Sequence, residues 1–322
     1  MGNEFRGSVG HSAEYFGDSR DYWWNRDFLE LLARRWRFDA VCDVLDVGCG
    51  VGHWGLLLAS VLPASARVTG IDREPAWVEQ ASARALSRGL GERFSYRLGA
   101  AERIPFPDDS FDLTTCQTVL IHLRDPAAAL AEMSRVTRPG GLVVVAEPNN
   151  LAESLLLGSL ADQASIDEVV ELVRLQLTCE RGKVALGEGD NSLGDRVVGL
   201  LAAQGFADVE VYVNDKAAAL FPPYSTSEQR ALIEDARDRA ARGFWNWSEA
   251  ETCRFFLAGG GSERDFAAQF ARGLAARQKV IEGVSGMNTD SMRRPSASSN
   301  ANLRVPSADV SSLTMRGVLM TN

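Results

Sequence analysis

The sequence predicts an α/β protein with a doubly wound, mostly parallel sheet, and three observations support that fold. Short apolar segments typical of strands alternate with helical segments between residues 43 and 147. The segment 142–146 is apolar without interruption, as is usual for a central parallel strand. A glycine-rich turn at residues 48–52 follows the first predicted strand, and α/β sheets bind nucleotides at such turns.

The predicted elements follow one another in the order that a doubly wound sheet requires. Strands are predicted at 43–47, 67–72, 94–98, 111–117, 142–147 and 207–213. Helices are predicted at 14–37, 53–62, 75–88, 126–137, 192–204 and, with breaks near Gly243 and at 259–261, across 224–284. The helix at residue 75 begins on a proline, which suits a first helical turn.

The chain of 322 residues is long enough for one large domain with a substantial addition. We predict an N-terminal helical cover (1–40), an α/β core (41–150, completed by 191–222), a helical insertion or lid (151–190), a helical substrate cover (223–284) and a tail (285–322). The tail is serine-rich, has little charge and loses apolar periodicity, so it is expected to be disordered.

Composition disfavours several classes of partner. The net charge of −9 argues against a nucleic-acid binder, which usually presents a basic face. The five cysteines include no C-x-x-C pair, so neither a metal site nor a disulfide framework is predicted. The N-terminus lacks an apolar signal core, and no apolar run has the length of a membrane span. We therefore expect a cytoplasmic protein without nucleic-acid or membrane partners.

The glycine-rich turn has the pattern D-x-G-x-G-x-G from Asp46 to Gly52. Glycine is needed where the backbone takes positive φ or approaches a ligand closely. His53 stands where the dinucleotide fingerprint G-x-G-x-x-G has its third glycine. This departure indicates an adenosine ligand without a pyrophosphate.

Asp72 ends the second predicted strand, twenty residues after Gly52. An acid at this point accepts hydrogen bonds from two ribose hydroxyls in other nucleotide-binding α/β folds. The alternative is an aspartate that caps the following helix. The glycine turn upstream favours the ribose role.

Two further segments, together with the glycine turn and Asp72, resemble the class I methyltransferases that use S-adenosylmethionine (SAM). Residues 99–112 read G-A-A-E-R-I-P-F-P-D-D-S-F-D, similar to a segment common in the small-molecule members of that family. The turn at 138–141, R-P-G-G, is similar to the family's entry into the fifth strand. The resemblance covers residues 43–148 and implies SAM bound across the carboxyl ends of strands 1, 2 and 4. Ala100 departs from it, because the family usually has an aspartate there.

The resemblance also implies which residues contact the cofactor. These are Asp46, Gly48, Cys49, Gly50, Gly52, Asp72, Arg73, Ala101, Glu102, Gln117 and, from the N-terminal aromatic segment, Tyr22. For Glu102 the alternative is a solvated loop acid. Tyr22 lies in a segment that is expected to cover the sheet whether or not it touches the ligand.

The candidate bases are His122 and Glu147, at the ends of the fourth and fifth predicted strands. A base is needed only when the nucleophile is protonated at working pH. The alternative for His122 is local packing or hydrogen bonding. The alternative for Glu147 is a carboxylate that satisfies backbone groups.

The leading hypothesis is a methyltransferase of the EC 2.1.1 class acting on a small molecule, as a monomer or homodimer. It would transfer the SAM methyl group by in-line displacement and release S-adenosylhomocysteine. Oxygen, nitrogen, carbon and sulfur acceptors all remain open. The alternatives are a SAM-binding sensor or scaffold without transfer and, less favoured, an NAD(P)-dependent oxidoreductase.

Overall fold

A computed structural model describes residues 18–150, 165–216, 223–243, 247–286 and 314–319. These residues fall into two compact units. The sheet unit contains residues 23–149, 187–216 and the strand 314–319. The helical unit contains the remaining described residues, mainly 165–186, 223–243 and 247–286.

A seven-stranded sheet forms the centre of the sheet unit. Its strands are β1 (Asp43–Val47), β2 (Arg67–Asp72), β3 (Phe94–Leu98), β4 (Phe111–Gln117), β5 (Thr137–Glu147), β6 (Val209–Val213) and β7 (Thr314–Leu319). The order is β3-β2-β1-β4-β5-β7-β6. The first five strands in this order pair in parallel, whereas β7 is antiparallel to both neighbours. The predicted doubly wound, mostly parallel sheet is therefore confirmed.

Helices connect and cover the strands. They are α1 (Arg26–Arg35), α2 (His53–Leu58), α3 (Pro75–Ser87), α4 (Pro126–Val136), α5 (Ile166–Ala185), α6 (Val197–Ala203), α7 (Ser227–Ala241), α8 (Glu249–Ala258) and α9 (Glu263–Gly286). The predicted breaks near Gly243 and at 259–261 separate α7, α8 and α9. Among the described helices, none combines the length and the hydropathy that crossing a bilayer requires.

Strand β5 begins earlier than its apolar run suggests. Pairing with β4 already starts at Thr137, opposite Phe111, and resumes at Leu142, opposite Leu113. The R-P-G-G turn is thus an irregularity inside the strand, with Gly140 at φ 74°. Beyond it the side chains from Leu142 to Ala146 are all buried.

The core of the sheet unit consists of apolar side chains packed between the sheet and its helices. It includes Leu45, Val47, Ile71, Cys116, Leu130, Met133, Val143 and Val145, each fully buried. This burial explains why the central strands read as unbroken apolar runs.

Two segments of the predicted disordered tail, from residue 285 onward, have regular structure. Helix α9 continues to Gly286, and Thr314–Leu319 forms β7 between β5 and β6. The strand gains backbone hydrogen bonds from two neighbours that are distant in sequence, and local composition does not report such pairing. The rest of the predicted tail lies outside the described residues.

The helical unit has a small core of its own. Trp247, Phe255, Phe256, Phe266 and Phe270 are buried around Leu175 and Cys179. Helices α5 and α8 approach closely at Gly182 and Gly259, where an added Cβ would lie 1.7 Å from the Phe255 carbonyl oxygen and 1.9 Å from that of Thr178. Both glycines are therefore required by packing. The roles of this unit as lid and substrate cover remain predictions.

Candidate active site

The candidate site lies where the chain reverses its direction of winding, between β1 and β4. These two strands are parallel neighbours, and Val47 pairs with Ile71 of β2 on one side and Cys116 of β4 on the other. The carboxyl ends of the three strands therefore meet at one edge of the sheet. Such a switch point is the general ligand site of doubly wound sheets.

The glycine turn follows β1 at this edge and needs its glycines. Gly48, Gly50 and Gly52 have φ values of 63°, 51° and 85°, all in the left-handed region. A Cβ at Gly48 would lie 2.6 Å from the Val119 Cγ2 methyl, and one at Gly52 would lie 2.8 Å from the Tyr96 hydroxyl. Only glycine satisfies both the conformation and the space.

Asp72 is buried at the end of β2 and is bonded to the glycine turn. Its Oδ2 accepts the N–H of Gly50 at 2.9 Å, and its Oδ1 accepts the N–H of Glu74 at 3.0 Å. The bond to Glu74, the residue before α3, provides part of the helix capping that the sequence allowed as the alternative role of Asp72. Burial raises the pKa of the Asp72 carboxyl, and the N–H donors of Glu74 and Gly50 offset only part of that effect.

Asp46 and Cys49 form hydrogen bonds that connect the glycine turn to the neighbouring elements. The buried Asp46 carboxylate accepts the N–H of Gly55 at 3.1 Å, which places it in the first turn of α2. The Cys49 N–H donates to the Ile71 carbonyl at 2.9 Å. Burial, followed by the charges of Asp46 and Asp72, raises the pKa of the Cys49 thiol far above its ordinary value, so this thiol stays neutral. These contacts hold the turn against β2 and α2.

The segment after β3 contains the predicted residues Ala101 and Glu102. Ala101 is buried, whereas the Glu102 side chain is exposed. Helix α4 holds the segment in place, because the Arg135 guanidinium donates to the carbonyls of Ile104 and Phe106 at 3.0 and 2.9 Å. This segment is therefore fixed even though Glu102 itself faces water.

Arg73 and Tyr22 are the two predicted cofactor residues with least support from their surroundings. Arg73 is exposed, and its nearest charge partner is Glu74 at 3.8 Å. Tyr22 ends a one-turn helix, Asp18–Tyr22, that belongs to the helical unit. For both residues the contact with cofactor remains a prediction.

The turn that follows β4 was not anticipated from the sequence. Gln117 is half-buried at the end of the strand, and Thr118 adopts a φ of 54°. Positive φ is unusual for a β-branched residue, and no sequence pattern signals it. Val119 then places its side chain against Gly48.

Glu147 ends β5 with a buried carboxylate that accepts backbone donors. Its Oε1 accepts the N–H groups of Val119 and Leu120 at 2.8 and 2.9 Å, and its Oε2 accepts that of Ile121 at 3.3 Å. Glu147 therefore satisfies backbone groups, which is the alternative that the sequence left open, and its role as a base stays a prediction.

His122 is half-buried at the end of the short turn Leu120–His122, which follows β4. Gly189 packs against this turn, because an added Cβ there would lie 2.1 Å from the Ile121 carbonyl oxygen. The turn follows the carboxyl end of β4, at the edge of the sheet where the glycine turn follows β1.

An aromatic group covers part of the sheet unit. The Trp54 Nε1–H donates to the Thr115 hydroxyl at 2.9 Å, and the Trp54 ring packs against Trp24 with centroids 5.2 Å apart. This contact ties α2 to the segment before β1. The sequence predicted the cover but not the indole–hydroxyl bond, which depends on how β4 and α2 pack.

Residues 45–145 match a family model described as a methyltransferase domain. This segment is therefore similar to methyltransferase domains. The resemblance noted from the glycine turn, Asp72 and residues 99–112 is thereby confirmed, and SAM is the cofactor of this family.

Several curated proteins are similar to this chain over the same region. "Uncharacterized methyltransferase C1B3.06c" of Schizosaccharomyces pombe is 36% identical over 114 residues, 34% of this chain and 41% of that protein. "Methyltransferase GfsG" of Streptomyces halstedii is 38% identical over 118 residues, 37% and 42% of the two chains. "Ubiquinone/menaquinone biosynthesis C-methyltransferase UbiE" of Geotalea daltonii is 36% identical over 123 residues, 38% and 52% of the two chains. The chain spans about half or less of these relatives' lengths.

The methyltransferase domain has the features that SAM requires. Gly48, Gly50 and Gly52 give the turn at the switch point the left-handed backbone that glycine adopts without strain, as at other sites where a backbone approaches a nucleotide. Each Asp72 oxygen accepts one backbone N–H in these contacts, and a carboxylate oxygen has lone pairs for a second donor such as a ribose hydroxyl. The residues present therefore fit the cofactor.

Proposed function

We propose that this chain transfers the methyl group of SAM to a small-molecule acceptor and releases S-adenosylhomocysteine. The observation that carries this proposal is the hydrogen bond between Asp72 and Gly50. It joins the acid that we propose for ribose binding to the glycine turn at the switch point. The name of the UbiE relative, a C-methyltransferase of ubiquinone and menaquinone biosynthesis, supports a small-molecule acceptor. The net charge of −9 further disfavours nucleic acid as the acceptor.

The work of the protein in this reaction is alignment. SAM supplies a methyl group that its sulfonium centre has already activated. Asp72 would accept the ribose hydroxyls, and the glycine turn, which is bonded to Asp72, would place its backbone beside the cofactor. Holding two reactants in line can supply most of the rate enhancement of such a displacement.

His122 is the residue we propose for proton removal when the acceptor is protonated. It lies in the turn after β4, beside the edge where the glycine turn and Asp72 meet. An imidazole accepts protons at neutral pH, which suits a general base. Gln117, which ends the strand before this turn, is proposed to line the cofactor site.

A SAM-binding sensor or scaffold is the second candidate. Ala100 stands where the family usually has an aspartate, and binding residues by themselves do not ensure turnover. An NAD(P) oxidoreductase is disfavoured because His53 is a buried residue in the position of the third fingerprint glycine.

A calorimetric titration with SAM, with NAD as the comparison ligand, tests the binding half of the proposal. We expect micromolar SAM binding, no NAD binding, and at least tenfold weaker SAM binding for Asp72→Ala. Methyl-labelled SAM incubated with fractionated small-molecule extract then tests transfer. Binding without transfer to any fraction would favour the sensor, and no binding would leave only the fold.

A further inference from the structure

The turn after β4 is strained. Thr118 has a φ of 54°, which β-branched residues rarely adopt because their Cβ substituents clash with the backbone. Strained residues of this kind persist where the surrounding structure holds them, and they concentrate at functional sites. Some part of the neighbouring structure must therefore keep this turn in place.

Glu147 provides the contacts that can do so. Pairing of Gln117 with Ala146 brings the end of β5 beside the turn. The Glu147 carboxylate, 1% exposed, accepts the three consecutive N–H groups of residues 119–121 at 2.8, 2.9 and 3.3 Å. Hydrogen bonds to a carboxylate are about twice as strong as bonds between neutral groups.

The turn after β4 packs directly against the glycine turn. A Cβ built on Gly48 would lie 2.6 and 2.9 Å from the two Val119 methyl carbons. Val119 therefore occupies the space beside Gly48, and any movement of residues 119–121 would change the shape of the cofactor site.

We propose that Glu147 is a positioning residue for the SAM site, which it shapes through the backbone of residues 119–121. Its carboxylate holds the left-handed Thr118 conformation and keeps Val119 against Gly48. This inference rests on the proposed function, because it concerns the affinity of the same site for SAM.

The test measures the SAM dissociation constant of Glu147→Gln by calorimetry. Glutamine has nearly the same shape, but its amide NH2 replaces an acceptor oxygen and would face backbone N–H donors. We expect at least tenfold weaker SAM binding. The matched control is Asp112→Asn, because Asp112 accepts the N–H groups of Cys42 and Asp43 at the opposite end of β4. We expect its SAM affinity to stay within threefold of the wild type.

A second variant separates positioning from a merely structural role. Glycine adopts positive φ without a Cβ penalty, so Thr118→Gly removes the strain that the carboxylate must hold. Thr118→Gly is expected to raise SAM affinity in the Glu147→Gln background at least threefold more than in the wild-type background. A residue that only stabilises the fold would produce no such coupling in the folded proteins.

The outcomes separate this inference from the proposed function. Wild-type protein that does not bind SAM overturns both. Wild-type protein that binds SAM, with folded Glu147→Gln binding within threefold of it or without rescue by Thr118→Gly, overturns this inference alone. If Glu147→Gln does not fold, Val119→Ala decides: weakening by threefold or more supports the inference, and a smaller change overturns it.

Discussion

The Asp72 carboxylate and the Gly50 amide are joined by a hydrogen bond of 2.9 Å, so the end of β2 and the glycine turn form one unit. A change at either residue therefore alters the other. This link also makes the ionisation of Asp72 relevant to the geometry of the turn.

The affinity for SAM is expected to fall as the pH is lowered. Burial raises the pKa of Asp72 above the ordinary aspartate value of about 3.9, so its carboxyl takes up a proton at milder acidity. A protonated carboxyl accepts the ribose hydroxyls less well. Calorimetry at successively lower pH, starting from pH 7.5, should show this decline, and Asp72→Asn should bind weakly with a flatter pH dependence.

In the unliganded protein, the contribution of Asp72 to stability should rise as the pH is lowered, in contrast to its effect on SAM affinity. A carboxyl with a raised pKa binds more protons in the folded state, so its contribution to stability improves as the pH falls toward the ordinary aspartate value. Urea unfolding of the wild type and of Asp72→Asn at several pH values measures this contribution of Asp72 to the free energy of unfolding. A stability difference between wild type and Asp72→Asn that does not change with pH would contradict this role for Asp72.

Replacing Gly48 by alanine is expected to damage the site. The new Cβ would meet the Val119 methyl at 2.6 Å, and a φ of 63° costs an alanine about 1–2 kcal/mol. We expect at least tenfold weaker SAM binding by calorimetry. The matched control is Gly199→Ala in α6, where nothing lies within 4 Å of an added Cβ. Equal effects of the two substitutions would refute the packing argument.

Asp112 is expected to stabilise the fold above its pKa. Partial burial disfavours its charge, but the N–H donors of Asp43 and Cys42 and the Arg138 guanidinium outweigh this and lower the pKa of Asp112. Its contribution is therefore complete above pH of about 4 and is lost on further acidification. Asp112→Asn should cost about 1–3 kcal/mol in urea unfolding at pH 7.

The control for that measurement is Asp39→Asn, because Asp39 forms an exposed ion pair with Arg37. Exposed pairs contribute about 0–1 kcal/mol. The cost of Asp112→Asn should shrink when the measurement is repeated at acid pH. A cost that is independent of pH would contradict the ionic role.

His122→Gln separates catalysis from binding. A general base contributes a factor of about 10²–10⁴ to the rate, and His122 is half-buried in the turn that follows β4. Labelled methyl transfer should fall about a hundredfold or more, whereas SAM affinity should stay within threefold. Unchanged transfer would assign His122 to local packing instead.

The sequence alone determined the fold class, the cofactor and the order of the central elements. These depend on local signals: apolar runs of strand length, glycines where φ is positive, and an acid at the end of β2. Each signal reports a backbone or burial requirement that acts within a few residues, so it can be recognised without the structure.

Only the tertiary structure decided what the acids do and how the sheet is completed. Glu147 stands at a strand end where a base was a reasonable hypothesis, and the turn after β4 directs three backbone N–H groups toward its carboxylate. Strand β7 comes from a segment that lacks strand-like composition and is paired on both edges. In both cases the deciding hydrogen bonds join residues far apart in sequence or on neighbouring strands, and such pairing depends on how the whole sheet is assembled.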